Sequence, residues 1–167
     1  WSWSSTYSIC FVFDFCSLFF FVGNSMCGLI GCLNPQSSSD SRFQFQQRLE
    51  TNLQNALKTI KTRGPDAEGV WRDDQILLGH RRLSIVDVSQ QGNQPMAYRG
   101  LVITFNGMIY NYRDIRKVLI QKGHRFETNT DTEVLLAGWA EWQWDLLPRL
   151  QGMFAFAIWD KTERKLI

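Results

Sequence analysis

Near its beginning the chain reads Met26-Cys27-Gly28-Leu29-Ile30-Gly31. A methionine directly before a cysteine, followed by an apolar run with glycine, is typical of a translation start, a nucleophile and a buried strand. If synthesis begins at Met26 and this methionine is removed, Cys27 carries a thiol and an α-amine on one residue. The α-amine has a reference pKa of about 7.7–8, so part of it is neutral near pH 7 and can act as general base for the thiol. The alternative is that Cys27 is a small apolar residue at the start of a strand.

The composition is that of one domain without a strong charge preference. The chain has 167 residues and a formal net charge of +2, and its basic and acidic residues are interleaved. The length suffices for a sizeable core, and the lack of a basic run argues against nucleic acid or a membrane surface as a partner. The cysteines form no metal-type CxxC pair, so we predict no metal site and no disulfide framework. A reducing, cytoplasmic compartment fits this cysteine usage best.

Residues 1–25 differ from the rest of the chain. They are dense in aromatic residues and contain no Lys or Arg. Their apolar run from Ile9 to Val22 is interrupted by Asp14 and is shorter than the ~20 residues of a membrane span. A secretory signal would have a positive start and small residues before its cleavage site. We therefore predict a leader outside the domain, upstream of a start at Met26; a membrane-targeting segment or a removed propeptide are the alternatives.

From Cys27 onward, short strands and amphipathic helices alternate irregularly. A strand over 27–33 is followed by a helix with apolar residues from Leu49 to Ile60 on one face. A hairpin is predicted around Asp73-Asp74, and further strands at 101–105 and 154–160. Because hairpins join the strands as often as helices do, the pattern predicts an α+β fold with mixed sheets rather than a doubly wound parallel sheet. No Gly-rich phosphate loop is present, so nucleotide binding is not expected here.

Two local patterns in the second half have a purely structural interpretation. Asn106-Gly107 follows the strand at 101–105, and an Asn-Gly pair is first of all a turn signal. Thr130 and Glu133 have the spacing of a capping box before an apolar helix. A second helix is expected from Tyr112 to Gln121, with Gly123 as its stop.

Seven stretches together resemble the glutamine amidotransferase domain of class II, within the N-terminal-nucleophile hydrolases, and specifically its asparagine synthetase (glutamine-hydrolysing) branch. The resemblance covers almost all of residues 26–167, in the family's order and spacing. The stretches are Met26-Cys27-Gly28, Arg63-Gly64-Pro65-Asp66, Arg82-Leu83-Ser84-Ile85-Val86-Asp87, Gln94-Pro95, Asn106-Gly107-Met108-Ile109-Tyr110-Asn111, Asp131-Thr132-Glu133 and Gln151-Gly152-Met153-Phe154-Ala155-Phe156.

This resemblance implies a four-layer αββα sandwich and hydrolysis of L-glutamine. Cys27 would attack the side-chain amide of glutamine, release ammonia and leave a γ-glutamyl thioester that water cleaves to glutamate. The side chain of Asn106 and the backbone N–H of Gly107 would form the oxyanion hole, as fixed donors aimed at developing negative charge. Glycine would allow a close approach of the backbone.

The resemblance also implies how glutamine is held. Arg82 would bind its α-carboxylate, because a guanidinium fork matches a carboxylate, and the backbone around Ile85 and Val86 would line the pocket. Asp131 would receive the α-ammonium group. Each residue also has a plainer interpretation, such as a surface arginine or part of a helix cap.

Met108 departs from the family. Asparagine synthetases usually carry a glutamate at this position, which helps to hold the substrate ammonium. A methionine supplies no charge, so Asp131 would act with less help. We expect weaker glutamine binding but intact chemistry.

The partners follow from the same resemblance. We expect residues 26–167 to be the C-terminally truncated amidotransferase part of a longer synthetase, and a homodimer is possible. The amidotransferase domain would need no cofactor, while ATP and Mg²⁺ would serve the synthetase domain that amidates aspartate. The alternatives are an amidotransferase for another acceptor, such as a sugar acid, and a non-catalytic domain in which a retained leader blocks the amine of Cys27.

Overall fold

The structure is a computed structural model that describes residues 7–13, 17–23, 27–33, 42–84, 87 and 89–167. In the ranges 7–13, 17–23 and 42–49 only the backbone is described. The chain divides into two compact units, Trp1–Leu83 and Ser84–Ile167.

The first unit contains a five-stranded antiparallel sheet and one helix. The helix α1 spans Arg42–Thr59. In spatial order the strands are β1 (Tyr7–Phe13), β2 (Ser17–Gly23), β3 (Gly28–Leu33), β5 (Ile76–Arg82) and β4 (Ala67–Arg72).

Helix α1 and the turn after it cover β3 and β5 with an apolar face. Leu53, Leu57 and Ile60 recur at helical spacing and form one buried cluster with Ile30 and with neighbouring strand residues. Fully burying one such side chain contributes about 1.5–3 kcal/mol. The predicted amphipathic helix, the strand at 27–33 and the hairpin of β4 and β5 are therefore confirmed.

One finding concerns the first residues of the chain, and a second concerns Cys32 in β3. The backbone of β2 pairs with β3 from Ser17↔Leu33 to Val22↔Gly28, so this stretch forms strands of the same sheet. The domain boundary at residue 26 stays a prediction. Cys32 is buried and disulfide-bonded, although the sequence indicated no disulfide framework.

The second unit contains a four-stranded antiparallel sheet and two α-helices. The helices are α2 (Tyr112–Gln121) and α3 (Asp131–Trp142), and short 3₁₀ turns lie at Gln90–Gly92 and Gln143–Arg149. The strand order is β6 (Met96–Tyr98), β7 (Leu101–Ile109), β8 (Gly152–Asp160) and β9 (Lys165–Leu166).

Helix α3 forms the centre of this unit's core. Its residues from Asp131 to Trp139 are all buried, and it packs beside α2 and β7. A helix that is apolar on nearly every side is stable only when it is enclosed in this way. The core of the second unit therefore fixes both α3 and the strand β7 next to it.

The α+β prediction is confirmed, with two corrections. Every strand pair within the described residues is antiparallel, so the sheets are not mixed. Asn106-Gly107 is not a turn, because β7 runs on through Ile109 and pairs with β8 along its whole length. The ladder with β8 supplies hydrogen bonds that override the local turn preference of Asn-Gly.

Only one half of the predicted capping box forms at α3. The Thr130 side chain accepts a hydrogen bond from the Glu133 N–H at 3.2 Å. The Glu133 carboxylate instead accepts from the N–H groups of Glu127 and Thr128, both at 2.8 Å, and from the Thr128 hydroxyl at 2.7 Å. Glu133 therefore fixes the loop before the helix.

Among the described residues, no helix is both long enough and apolar enough to cross a membrane.

Candidate active site

Cys27 lies directly before β3 and is half-buried. Its thiol is not in a disulfide. The Leu83 N–H donates a hydrogen bond to Sγ at 3.2 Å, and Sγ lies 3.6 Å from the Leu83 carbonyl oxygen. An N–H group that points at sulfur stabilises negative charge there. The Leu83 carbonyl oxygen accepts a hydrogen bond from the thiol, so the two backbone groups of Leu83 fix the position of Sγ.

Arg82 is the last residue of β5 and is only 7% exposed. Its carbonyl oxygen accepts a hydrogen bond from the Asp66 N–H at 3.1 Å. A Cβ atom on Gly64 would overlap the backbone of Arg81, so only glycine lets this turn approach β5 so closely. The motif Arg63-Gly64-Pro65-Asp66 is thereby held against the end of β5, next to the residue that contacts Cys27.

Two other arginines of this unit, Arg81 and Arg63, have different surroundings. Arg81 donates through Nε to the Leu57 carbonyl oxygen at 3.0 Å and forms an ion pair with Glu68, so its role is structural. Nε and Nη2 of Arg63 are buried, and no described residue accepts a hydrogen bond from them. A buried guanidinium with open donors is suited to bind an anion.

Asp131 begins α3 and is only 5% exposed. The Ile109 N–H donates to its Oδ2 at 3.0 Å. Burial raises the pKa of Asp131 above its ordinary value, while backbone N–H groups of Ile109, Asp131 and Thr132 oppose this shift. A carboxylate at this place gains most from a bound cation, because the cation offsets the cost of burial.

Asn106 and Gly107 lie inside β7 near Asp131. Asn106 is 6% exposed, and its Oδ1 is buried with no partner among the described residues. An unpartnered buried polar atom in a native protein needs an explanation, and ligand binding is one. Gly107 has φ +144°, and a Cβ there would overlap the backbone of Met153 and Phe154. Glycine is therefore required at 107 by the close approach of β8.

Met108 is half-buried and faces Met153 across the ladder of β7 and β8. In the second unit, Asn106, Gly107 and Met108 lie on β7, the strand whose Ile109 N–H donates to Asp131. In the first unit Leu83, the residue after Arg82, contacts Cys27. Ile85 and Val86, which the sequence placed along the pocket, lie outside the described residues.

Two residues with notable surroundings in the structure had no role predicted from the sequence. One is Arg63. The other is Gln94, which is 7% exposed and bonds both to β7 and to the first turn of α3. Both stand within the motifs quoted for the family resemblance, but motif membership alone does not say what a side chain contacts.

We found no group of three or more His, Cys, Asp or Glu residues suited to hold a metal ion in the part of the chain that is described.

Sequence comparison shows the family to which this chain belongs. Residues 26–167 match the family described as glutamine amidotransferase domain. The chain belongs to this family.

Several asparagine synthetases are similar to this chain. Asparagine synthetase (glutamine-hydrolysing) 3 of Bacillus subtilis is 42% identical over 145 residues, and asparagine synthetase (glutamine-hydrolysing) 1 of the same organism is 40% identical over 143 residues. Both matches cover 84% of this chain and 22% of the relative. Amidase chry2 of Gibberella zeae is 34% identical over 153 residues, which cover 85% of this chain and 22% of that protein. The chain thus spans about a fifth of the length of these relatives.

Proposed function

We propose that the chain hydrolyses L-glutamine to glutamate and ammonia, as the amidotransferase domain of a glutamine-dependent asparagine synthetase. The observation that carries this proposal is the thiol of Cys27, half-buried and hydrogen-bonded to the Leu83 N–H in a chain of the amidotransferase family. With it we propose the four-layer αββα sandwich of the N-terminal-nucleophile hydrolases, since the chain is α+β and belongs to this family.

The first half of the reaction forms a thioester. The α-amine of Cys27 takes the thiol proton, and Sγ attacks the side-chain carbonyl carbon of glutamine. The negative charge on the carbonyl oxygen is stabilised by the Asn106 side chain and the Gly107 N–H. The protonated α-amine of Cys27 then gives its proton to the amide nitrogen of glutamine. The C–N bond breaks, and this nitrogen leaves as ammonia. Water attacks the thioester, and the C–S bond breaks to give glutamate and the thiol.

Substrate binding uses charges of opposite sign. Arg82 pairs with the α-carboxylate, Asp131 with the α-ammonium group, and the backbone at Ile85 and Val86 lines the pocket. Burial of Asp131 supports its role, because an isolated buried carboxylate is unfavourable and a buried carboxylate paired with ammonium is much less so. Met108 takes the position next to these groups without contributing charge.

The remaining partners of the reaction belong to a synthetase domain. That domain would bind ATP and Mg²⁺ and use the ammonia to amidate aspartate, whereas the amidotransferase domain needs no cofactor. The relatives named asparagine synthetase support aspartate as acceptor. The relative named amidase chry2 is the reason to keep another acceptor as the second candidate. A cytoplasmic location and a homodimer remain predictions.

The proposal is tested by measuring glutamate release from L-glutamine. Two forms are compared: the full chain from Trp1, and a chain whose first residue is Cys27. Activity of the second form alone is expected, because a peptide bond to Met26 removes the basic amine. Cys27→Ala in that form is the control and should be inactive. A folded Cys27-first form without activity would favour a non-catalytic domain.

A further inference from the structure

Hydrogen bonds at the two ends of β7 show which of its N–H groups face β8. The Tyr110 N–H donates to the Gln151 carbonyl oxygen at 2.7 Å, and the Lys161 N–H donates to the Gly100 carbonyl oxygen at 3.1 Å. In an antiparallel ladder the bonds alternate from residue to residue. Even-numbered residues of β7 therefore bond to β8, and the N–H groups of odd-numbered residues point to the opposite edge.

The opposite edge of β7 is covered by a strand only in part. The ladder with β6 ends at Met96↔Ile103. Beyond it, the N–H groups of Phe105, Gly107 and Ile109 follow one another along the edge, and no strand of the described part of the chain pairs with them there. Each of these donors needs another acceptor, since an unsatisfied buried N–H costs about 1–3 kcal/mol.

Gln94 supplies the acceptor for the first of these donors. Its Oε1 accepts from the Phe105 N–H at 2.6 Å, and its Nε2 donates to the Thr132 hydroxyl at 3.2 Å. The side chain is nearly buried, so both bonds are shielded from water. Gln94 thereby connects the residue before Asn106 with the residue after Asp131.

Asp131 supplies the acceptor for the third donor, through its 3.0 Å bond from the Ile109 N–H. Two links therefore join β7 to the first turn of α3, one on each side of Gly107. The same two links fix the distance between the backbone at Gly107 and the carboxylate of Asp131.

We propose that Gln94 is a positioning residue for glutamine hydrolysis. It occupies the Phe105 N–H and holds Thr132, so that the Gly107 N–H is the donor left for the substrate between two occupied neighbours. It also keeps Asp131 at a set distance from that donor. This inference rests on the proposed function, because Gly107 and Asp131 are its substrate contacts. A misplacement of about 1 Å at such groups can cost about 100-fold in rate.

The test uses the form that hydrolyses glutamine and four variants, one of which is a control. Gln94→Met keeps the length of the side chain and removes both hydrogen bonds, and should lower kcat at least tenfold. Thr132→Val removes only the link to α3, and should raise KM for glutamine three- to tenfold with kcat within threefold. Thr132→Ser keeps the hydroxyl and should restore wild-type KM. Gln121→Met, at an exposed position, is the matched control.

Backbone amide exchange in the full chain provides a readout that does not need activity. The Phe105 N–H should exchange at least tenfold more slowly than the Gly107 N–H, and Gln94→Met should accelerate Phe105 but not Ile103, which β6 covers. If the wild type hydrolyses glutamine and Gln94→Met keeps the wild-type kcat, the inference about Gln94 is overturned and the proposed function stands. If no form hydrolyses glutamine, the proposed function fails, and equal protection of Phe105 and Gly107 would then overturn the inference as well.

Discussion

The backbone N–H of Ile109 donates a hydrogen bond to the carboxylate of Asp131 at 3.0 Å, which ties the end of β7 to the start of α3. Residues 22 positions apart in sequence are thus in direct contact. Because Asn106 and Gly107 stand just before Ile109 on the same strand, this bond sets where the Asp131 carboxylate lies relative to them.

Replacing Asp131 should weaken glutamine binding. Asp131→Asn keeps an oxygen for the Ile109 N–H but removes the charge that would pair with the α-ammonium group. A hydrogen bond between charged groups contributes about 1.5–3 kcal/mol, so KM should rise about 10- to 100-fold with a small change in kcat. Steady-state kinetics of glutamate release check this, with exposed Asp145→Asn as control. An unchanged KM would remove Asp131 from the binding site.

Asp131 should also make the stability of the protein depend on pH. Burial raises the pKa of Asp131 in the folded state above its ordinary value of 3.8, so the folded protein binds this proton more tightly than the unfolded chain. Its contribution to stability is therefore present at low pH and is lost as pH rises through the raised pKa. The free energy of unfolding of the wild type minus that of Asp131→Asn should fall as the pH rises from about 4 through the raised pKa of Asp131. Urea unfolding of both proteins measures the difference, and a rise over that range would contradict it.

A carboxylate at position 108 should increase the affinity for glutamine. Met108→Glu places a carboxylate near the proposed ammonium site and should lower KM for glutamine several-fold, with kcat little changed. Met108→Gln has the same length without the charge and should leave KM near the wild-type value. Equal KM values for both variants would mean that charge at this position does not contribute to binding.

Replacing Gly107 with alanine should reduce stability more than replacing a glycine that has open space around it. Gly107→Ala combines a positive φ with an overlap between Cβ and the backbone of β8, and should cost about 2 kcal/mol or more of stability. Gly123 also has positive φ, but no atom lies within 4 Å of its Cβ position. Gly123→Ala should therefore cost only about 1–2 kcal/mol. Thermal unfolding compares the two, and an equal loss would show that the contact with β8 is unimportant.

Glu133 should stabilise the loop before α3. Glu133→Ala leaves the N–H groups of Glu127 and Thr128 without their acceptor. The buried Thr128 N–H alone should cost about 1–3 kcal/mol. Exposed Glu127→Ala is the control and should change stability by at most about 0.5 kcal/mol. The free energy of unfolding in urea gives both values, and similar losses in the two variants would be inconsistent with this role.

Local sequence patterns predicted much of the secondary structure because they act over a few residues. The helix over Tyr112–Gln121 begins and ends where its pattern and Gly123 indicate. The hydroxyl of Thr130 caps α3 as its spacing predicts. These features depend on side-chain periodicity and on backbone groups that are neighbours in the chain.

Predictions that depended on distant partners were less complete. Asn106-Gly107 has the sequence of a turn, yet the ladder with β8 keeps it extended. Glu133 has the spacing of a reciprocal cap, yet its carboxylate binds the preceding loop, where two N–H groups need an acceptor.

The sequence by itself determined the family of this protein, its class of fold and the cysteine on which its chemistry is proposed to depend. Order and spacing of motifs are properties of the chain alone, and they were sufficient for that. Only the tertiary structure decided that Gln94 bridges β7 and α3, and that Ile109 holds Asp131. The physical reason is that a hydrogen bond between distant residues depends on where the fold places its donor and acceptor.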